Sequence, residues 1–172
     1  MNPLITTFWN ICRYRLGPQD LPGSTALLGM VVFAYVVIST SVAGFNLPPA
    51  PAFFSALLDA GIIAGVTRLL LWVRELDTRM VQTTTALLGV GTFFGLIAVP
   101  LMWWQLSYED PTQAFLPSFL MLSLFVWNLA VMGHILRHAL NVAFYVGVLL
   151  AVLYMYISIS ILRALFAIPA GQ

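Results

Sequence analysis

Three groups of residues in this chain have types and spacing that could do chemistry. Asp59 stands inside an apolar run, His134 and His138 lie in the stretch His134-Ile-Leu-Arg-His-Ala-Leu-Asn141, and Glu109 and Asp110 are adjacent in a short polar segment. On a helix, His134, Arg137, His138 and Asn141 are spaced i, i+3, i+4, i+7 and share one face. Two histidines at i, i+4 suit a metal or haem only with a further ligand, and the chain has just these 2 histidines. Glu109 and Asp110 alone offer too few oxygens for calcium. Neither a metal nor a cofactor is therefore expected. A nucleophile elbow, a phosphate-cradling glycine loop and a histidine-carboxylate-serine set are all missing from the sequence, which weighs against an enzyme.

The elements that must position these residues can be read from composition. The chain of 172 residues is 61% hydrophobic and 8% charged, and every basic residue other than the histidines is an arginine. Soluble domains carry roughly 25% charged residues, and several apolar stretches here approach or exceed the ~20 residues that cross a bilayer. The expected fold is all-α, an integral membrane bundle of five transmembrane helices forming a single domain over residues 1–172. With a net charge of +1 and no basic cluster, a nucleic-acid partner is not expected. Cys12, the single cysteine, forms no internal disulfide and reads as a buried small hydrophobe, with juxtamembrane palmitoylation as the alternative.

Along the chain, residues 1–22 read as an interfacial segment. Leu4, Phe8 and Cys12 line up at i, i+4, i+8 beside Ile5 and Trp9, so a short helix is expected with its apolar face in lipid and Arg13 and Arg15 at the headgroups. Gly17 to Ser24 is a turn-rich connector, with Ser24 or Thr25 placed to cap the first span. Spans are expected at about 25–44, 52–73, 85–104, 114–136 and 142–162. Ser41-Val42-Ala43 has the form of a signal-peptide cleavage site, but the long approach to the apolar run favours an uncleaved first span. Pro100 is expected to kink or end the third span. The polar stretch from His134 to Asn141 is expected to be the reversal between spans four and five, broken at Gly133 or Asn141.

Placing the amino end in the cytoplasm puts Arg13, Arg15, Arg74, Arg79 and Arg137 inside and leaves Arg163 outside, the bias that the positive-inside rule favours. The carboxyl end is then periplasmic, in a bacterial inner membrane. Gly61 and Gly65 in span two, and Gly91 and Gly95 in span three, are small residues at helix-contact spacing. They are expected to face other helices of the same chain, with spans two and three as antiparallel neighbours and homodimerisation as the rival reading. Asp59 falls about seven residues, roughly 10 Å, below the outer end of span two, where a bare carboxylate costs ~2.5–3.5 kcal/mol or more. It should be paired, protonated or water-lined, and Arg163, which can otherwise snorkel to its own interface, is placed so that an ion pair with it is geometrically allowed. The pair reads either as a structural lock or as an ion- or proton-coupled site. Arg68 reads as a snorkelling side chain, and Thr67, Thr83, Thr84 and Thr85 as residues that bond local carbonyls.

The five-span layout with the turn Gly17-Pro18-Gln19-Asp20-Leu21-Pro22 before span one resembles the YIP-domain family of small membrane proteins. The chain is also similar to small proteobacterial inner-membrane proteins with the stretches GPQDLP, here Gly17 to Pro22, and GHILRHAL, here Gly133 to Leu140. The resemblance implies an accessory or organising membrane protein. The expected function is to bind a membrane partner, a protein, a second copy or anionic lipid, through a cytoplasmic face of Arg74, Arg79, His134, Arg137, His138 and Asn141. The alternative is a small transporter or channel component using Asp59. The two differ in one observable: the transporter reading requires a cavity that reaches Asp59, and the organiser reading allows a solid bundle.

Overall fold

Long apolar runs in lipid must satisfy their own backbone groups, which leaves helix as the available structure. The computed structural model describes residues 3–108 and 113–166, so Glu109 and Asp110 lie outside the described residues. Six α-helices are described: α1 (Pro3–Cys12), α2 (Thr25–Ala43), α3 (Pro49–Val73), α4 (Met80–Leu106), α5 (Phe115–Leu140) and α6 (Phe144–Phe166). The five from α2 to α6 are each long and apolar enough to cross a membrane, the makeup of a multi-pass membrane protein.

The helix ends obey local chemistry. Ser24 caps α2, its Oγ accepting from the Leu27 N–H at 3.3 Å. Pro49 and Pro51 sit in the first turn of α3, where a missing N–H is harmless, so the helix begins three residues before the expected start. A 3-10 turn at Asp77–Arg79 leads directly into α4, which continues through Pro100 to Leu106 instead of stopping near it. His134 to Leu140 are the last two turns of α5, not the reversal, and Asn141 is the break, with φ 53° and ψ 51°. Three helices end alike, on a left-handed residue that is not glycine: Tyr14, Glu75 and Asn141. After each, the next N–H reaches back to close the last turn, Arg15 to Asn10 O, Leu76 to Leu71 O and Val142 to Arg137 O.

α4 packs most extensively on α2 and α5, α5 on α6, and α2 on α3, while α3 meets both α4, the neighbour its short loop implies, and α6. Gly91 and Gly95 do face a neighbour, since a Cβ on either would meet Tyr35 or Ile38 of α2. Gly61 and Gly65 do not: both have open space where a Cβ would stand. A tighter backbone approach lies at α5 and α6, where a Cβ on Gly147 would collide with the Gly133 carbonyl oxygen and stand 3.0 Å from Arg137 N.

The Leu4, Phe8 and Cys12 stripe of α1 faces protein, while Ile5 and Trp9 beside it stay exposed. The helix docks on α4 and α5, burying Ile11 and Cys12 completely and setting the Phe8 ring over Gly89. Trp9 meets Phe93 at 5.5 Å and Trp127 at 6.4 Å between ring centres. The segment after α1 is then strapped to the bundle through its carbonyls. Trp127 Nε1–H donates to Cys12 O at 3.0 Å, His134 Nε2 to Leu16 O at 2.9 Å, and Gln82 Nε2 to Leu21 O at 2.7 Å. Because a carbonyl only accepts, the His134 bond places the ring proton on Nε2. Thr83 and Thr85 bond the carbonyls of Arg79 and Val81, as expected. Thr84 does not, its buried hydroxyl having no partner among the described residues.

Candidate functional site

Asp59 is the tenth residue after Pro49, which places it ~15 Å along α3 at 1.5 Å per residue, deeper than the later helix start implied. A carboxylate at that depth must find donors. Its Oδ2 accepts from the Tyr35 hydroxyl of α2, and its Oδ1 accepts from the Tyr154 hydroxyl of α6 at 2.9 Å and from the Ser158 hydroxyl of α6. One side chain thereby ties three helices together. Tyr154 and Ser158 are four apart and stack on one face of α6, so both reach the same oxygen. The expected ion pair with Arg163 is not formed: the partners of Asp59 are neutral hydroxyls, and Arg163 is exposed in the last turn of α6. Hydrogen bonds to a charged group contribute about 1.5–3 kcal/mol each, so three of them offset the ~2.5–3.5 kcal/mol insertion cost without a basic partner.

Beside this cluster lies a cavity of about 510 Å³ with walls from all five long helices. Its polar wall holds Tyr35, Ser39, Ser55, Asp59, Asn128, Tyr154 and Ser158. Ser55 is already bonded to Ala52 O at 2.8 Å. Asn128 is different: it lines the cavity, half-buried, and its amide has no hydrogen-bond partner among the described residues. The remaining wall is apolar, including Phe94, Met121, Leu124, Phe125, Met132 and Met155. The volume falls in the ~300–1,000 Å³ range of small-molecule sites, and an apolar wall with a few convergent polar groups is their usual lining. That Asp59 stands well inside an apolar helix was legible in the sequence. Its partners were not, because Tyr35 and Tyr154 look like any other aromatic residue of an apolar span.

The arginine-rich end of the bundle is organised differently from the free face that the spacing suggested. Arg74 Nη2 donates to Leu140 O at 3.3 Å, and Arg79 Nη1 to His138 O, Ala139 O and Asn141 Oδ1, each at 3.2 Å. Both guanidinium groups cap the carbonyl end of α5, where orphan acceptors and the negative end of the helix dipole favour a cation. The Arg137 guanidinium lies 6.0 Å over the Phe144 ring. His134 is buried on the N-terminal strap, with its ring centre 5.3 Å from that of Tyr14 and 4.6 Å from that of His138. A second, polar pocket of about 280 Å³ brings together Gln19, Arg79, Gln82, Thr83, His138 and Asn141. Arg74, His134 and Arg137 are not among its walls. The expected cytoplasmic face is thus split between capping, strapping and one small pocket.

No cluster of three or more histidine, cysteine or carboxylate side chains that could hold a metal occurs among the described residues. Comparison of the chain with protein-family models, with curated proteins and with solved structures returns no match.

Proposed function

We propose that this protein is a small component of a membrane transport or solute-binding system, holding a molecule inside the bilayer at Asp59. The observation that carries the reading is the cavity whose wall includes the Asp59 carboxylate and residues of every long helix. That cavity is the feature on which the transport reading and the organiser reading part. The organiser reading takes Arg74, Arg79 and Arg137 as its contact surface; Arg74 and Arg79 each also bond α5 carbonyls, while Arg74 stays exposed and Arg137 lies over Phe144. The proposal includes a bacterial inner membrane, a cytoplasmic amino end and the layout that resembles YIP-domain proteins. Supporting the orientation, Arg74, Arg79 and Arg137 gather at the α5–α6 turn while Arg163 stands at the other end of α6.

Single-cysteine labelling tests it. In a Cys12→Ala background, Asn128→Cys should react with a small methanethiosulfonate reagent applied from the periplasmic side much faster than Val90→Cys, which starts from a fully buried position. Equal, negligible rates at the two positions mean a sealed bundle and end the reading. In the same background Arg79→Cys should react only from the cytoplasmic side.

A further inference from the structure

Resting on that reading, we propose that the occupant of the cavity is a lipophilic monocation, an apolar body carrying one positive charge. Charge and shape both lead there. Among the residues lining the cavity Asp59 is the sole acid, and no arginine or histidine lines it. Three hydroxyls donate to the carboxylate, so both of its oxygens accept and are fixed in place by side chains that bring no positive charge. Donors of this kind satisfy a carboxylate's hydrogen bonding without neutralising it. A neutral occupant leaves that charge uncompensated beside it, and an anion is repelled by it in a low-dielectric setting. A cation supplies what the protein leaves out. The aromatic residues of the wall, Tyr35, Phe94 and Tyr154, are of the type that favours a cation nearby. Asn128, also on the wall, carries an amide oxygen with no partner among the described residues, a group that can accept from or face a cation. The rest of the lining is rich in methionine, leucine, phenylalanine and alanine, which favours an apolar body over a hydrated ion.

The test uses the full chain in lipid nanodiscs, with empty nanodiscs as the correction for partition into lipid. The probes are tetraphenylphosphonium and tetraphenylborate, which share a shape and differ in the sign of charge. Tetraphenylphosphonium should bind saturably and tetraphenylborate should not. Asp59→Asn, which keeps the shape and removes the charge, should weaken the cation's binding by about tenfold or more. Asn128→Lys keeps Asp59 and places a competing cation in the same space, so it should abolish binding even if Asp59→Asn does not fold. Ala98→Trp, which fills the cavity, should abolish binding of any occupant.

Failure of the substrate class and failure of the cavity reading give different results. Equal binding of the two probes, or cation binding indifferent to both Asp59→Asn and Asn128→Lys, overturns the monocation. So does binding of neither probe while Asn128→Cys remains open to labelling. In each of these cases the cavity reading stands if Asn128→Cys labels. If that cysteine does not label and Ala98→Trp changes nothing, the site and the cation fall together.

Discussion

At the scale of the residue, burial decides what chemistry a side chain can do. Cys12 was legible as a small hydrophobe, and it is fully buried against α4 and α5. Burial pushes its thiol from the ordinary 9.0 up to about 12, because the thiolate loses its solvation there. At neutral pH the folded protein should leave a maleimide unreacted, and the same protein unfolded in detergent should consume one equivalent; mass spectrometry reads the difference. The linked stability has a definite sign. The neutral thiol is favoured by folding, so this contribution is complete below pH 9 and is lost as the pH rises from 9.0 toward about 12. Asp59 shows the limit of reading residues one at a time. Its depth demanded a partner and charge logic suggested Arg163, but hydroxyls on α2 and α6 can satisfy a carboxylate equally well. A tyrosine in an apolar span carries no mark that distinguishes a lipid-facing ring from a donor.

At the scale of the element, hydropathy located the five long helices to within a few residues, and their contacts escaped it. Small residues at spacing four are a signal of close approach only if the helix turns that stripe toward a neighbour. Gly91 and Gly95 are so turned; Gly61 and Gly65 face open space. The tighter backbone approach, Gly133 against Gly147, lies on two different helices and has no spacing to reveal it. Gly147→Ala should therefore lower the unfolding free energy by about 1–3 kcal/mol, since backbone and not a flexible side chain must give way. Gly61→Ala should raise it by up to about 1 kcal/mol through helix propensity alone. Unfolding in mixed micelles would rank the two. The helix ends allow another change in the stabilising direction. Glu75 holds a left-handed backbone at φ 56°, where a Cβ is strained. Exposed and without a hydrogen bond to its carboxylate among the described residues, it should be improved as Glu75→Gly by about 1 kcal/mol, visible as a higher melting temperature.

At the scale of the whole molecule, the N-terminal segment is what sequence reasoning placed least well. An amphipathic stretch with tryptophan and tyrosine fits a lipid interface and a protein groove by the same composition, and only the partners distinguish them. Those partners are far along the chain: Gln82, Trp127 and His134. His134→Phe keeps the ring against Tyr14 but removes the N–H. It should speed amide exchange across residues 13–21 at least severalfold while leaving α2 to α6 protected, as hydrogen-deuterium exchange would resolve. The arginine caps were hidden for the same reason, because Arg79 and Ala139 are separated by most of α4 and α5.

The strap also fixes a chronology. Cys12 and Leu16 leave the ribosome well before Trp127 and His134 exist, so their carbonyls lack those partners until α5 has been made. The segment synthesised early finishes settling late: Gln82 and Gly89 of α4 offer it a seat first, and the bonds to Trp127 and His134 close only when α5 is in place.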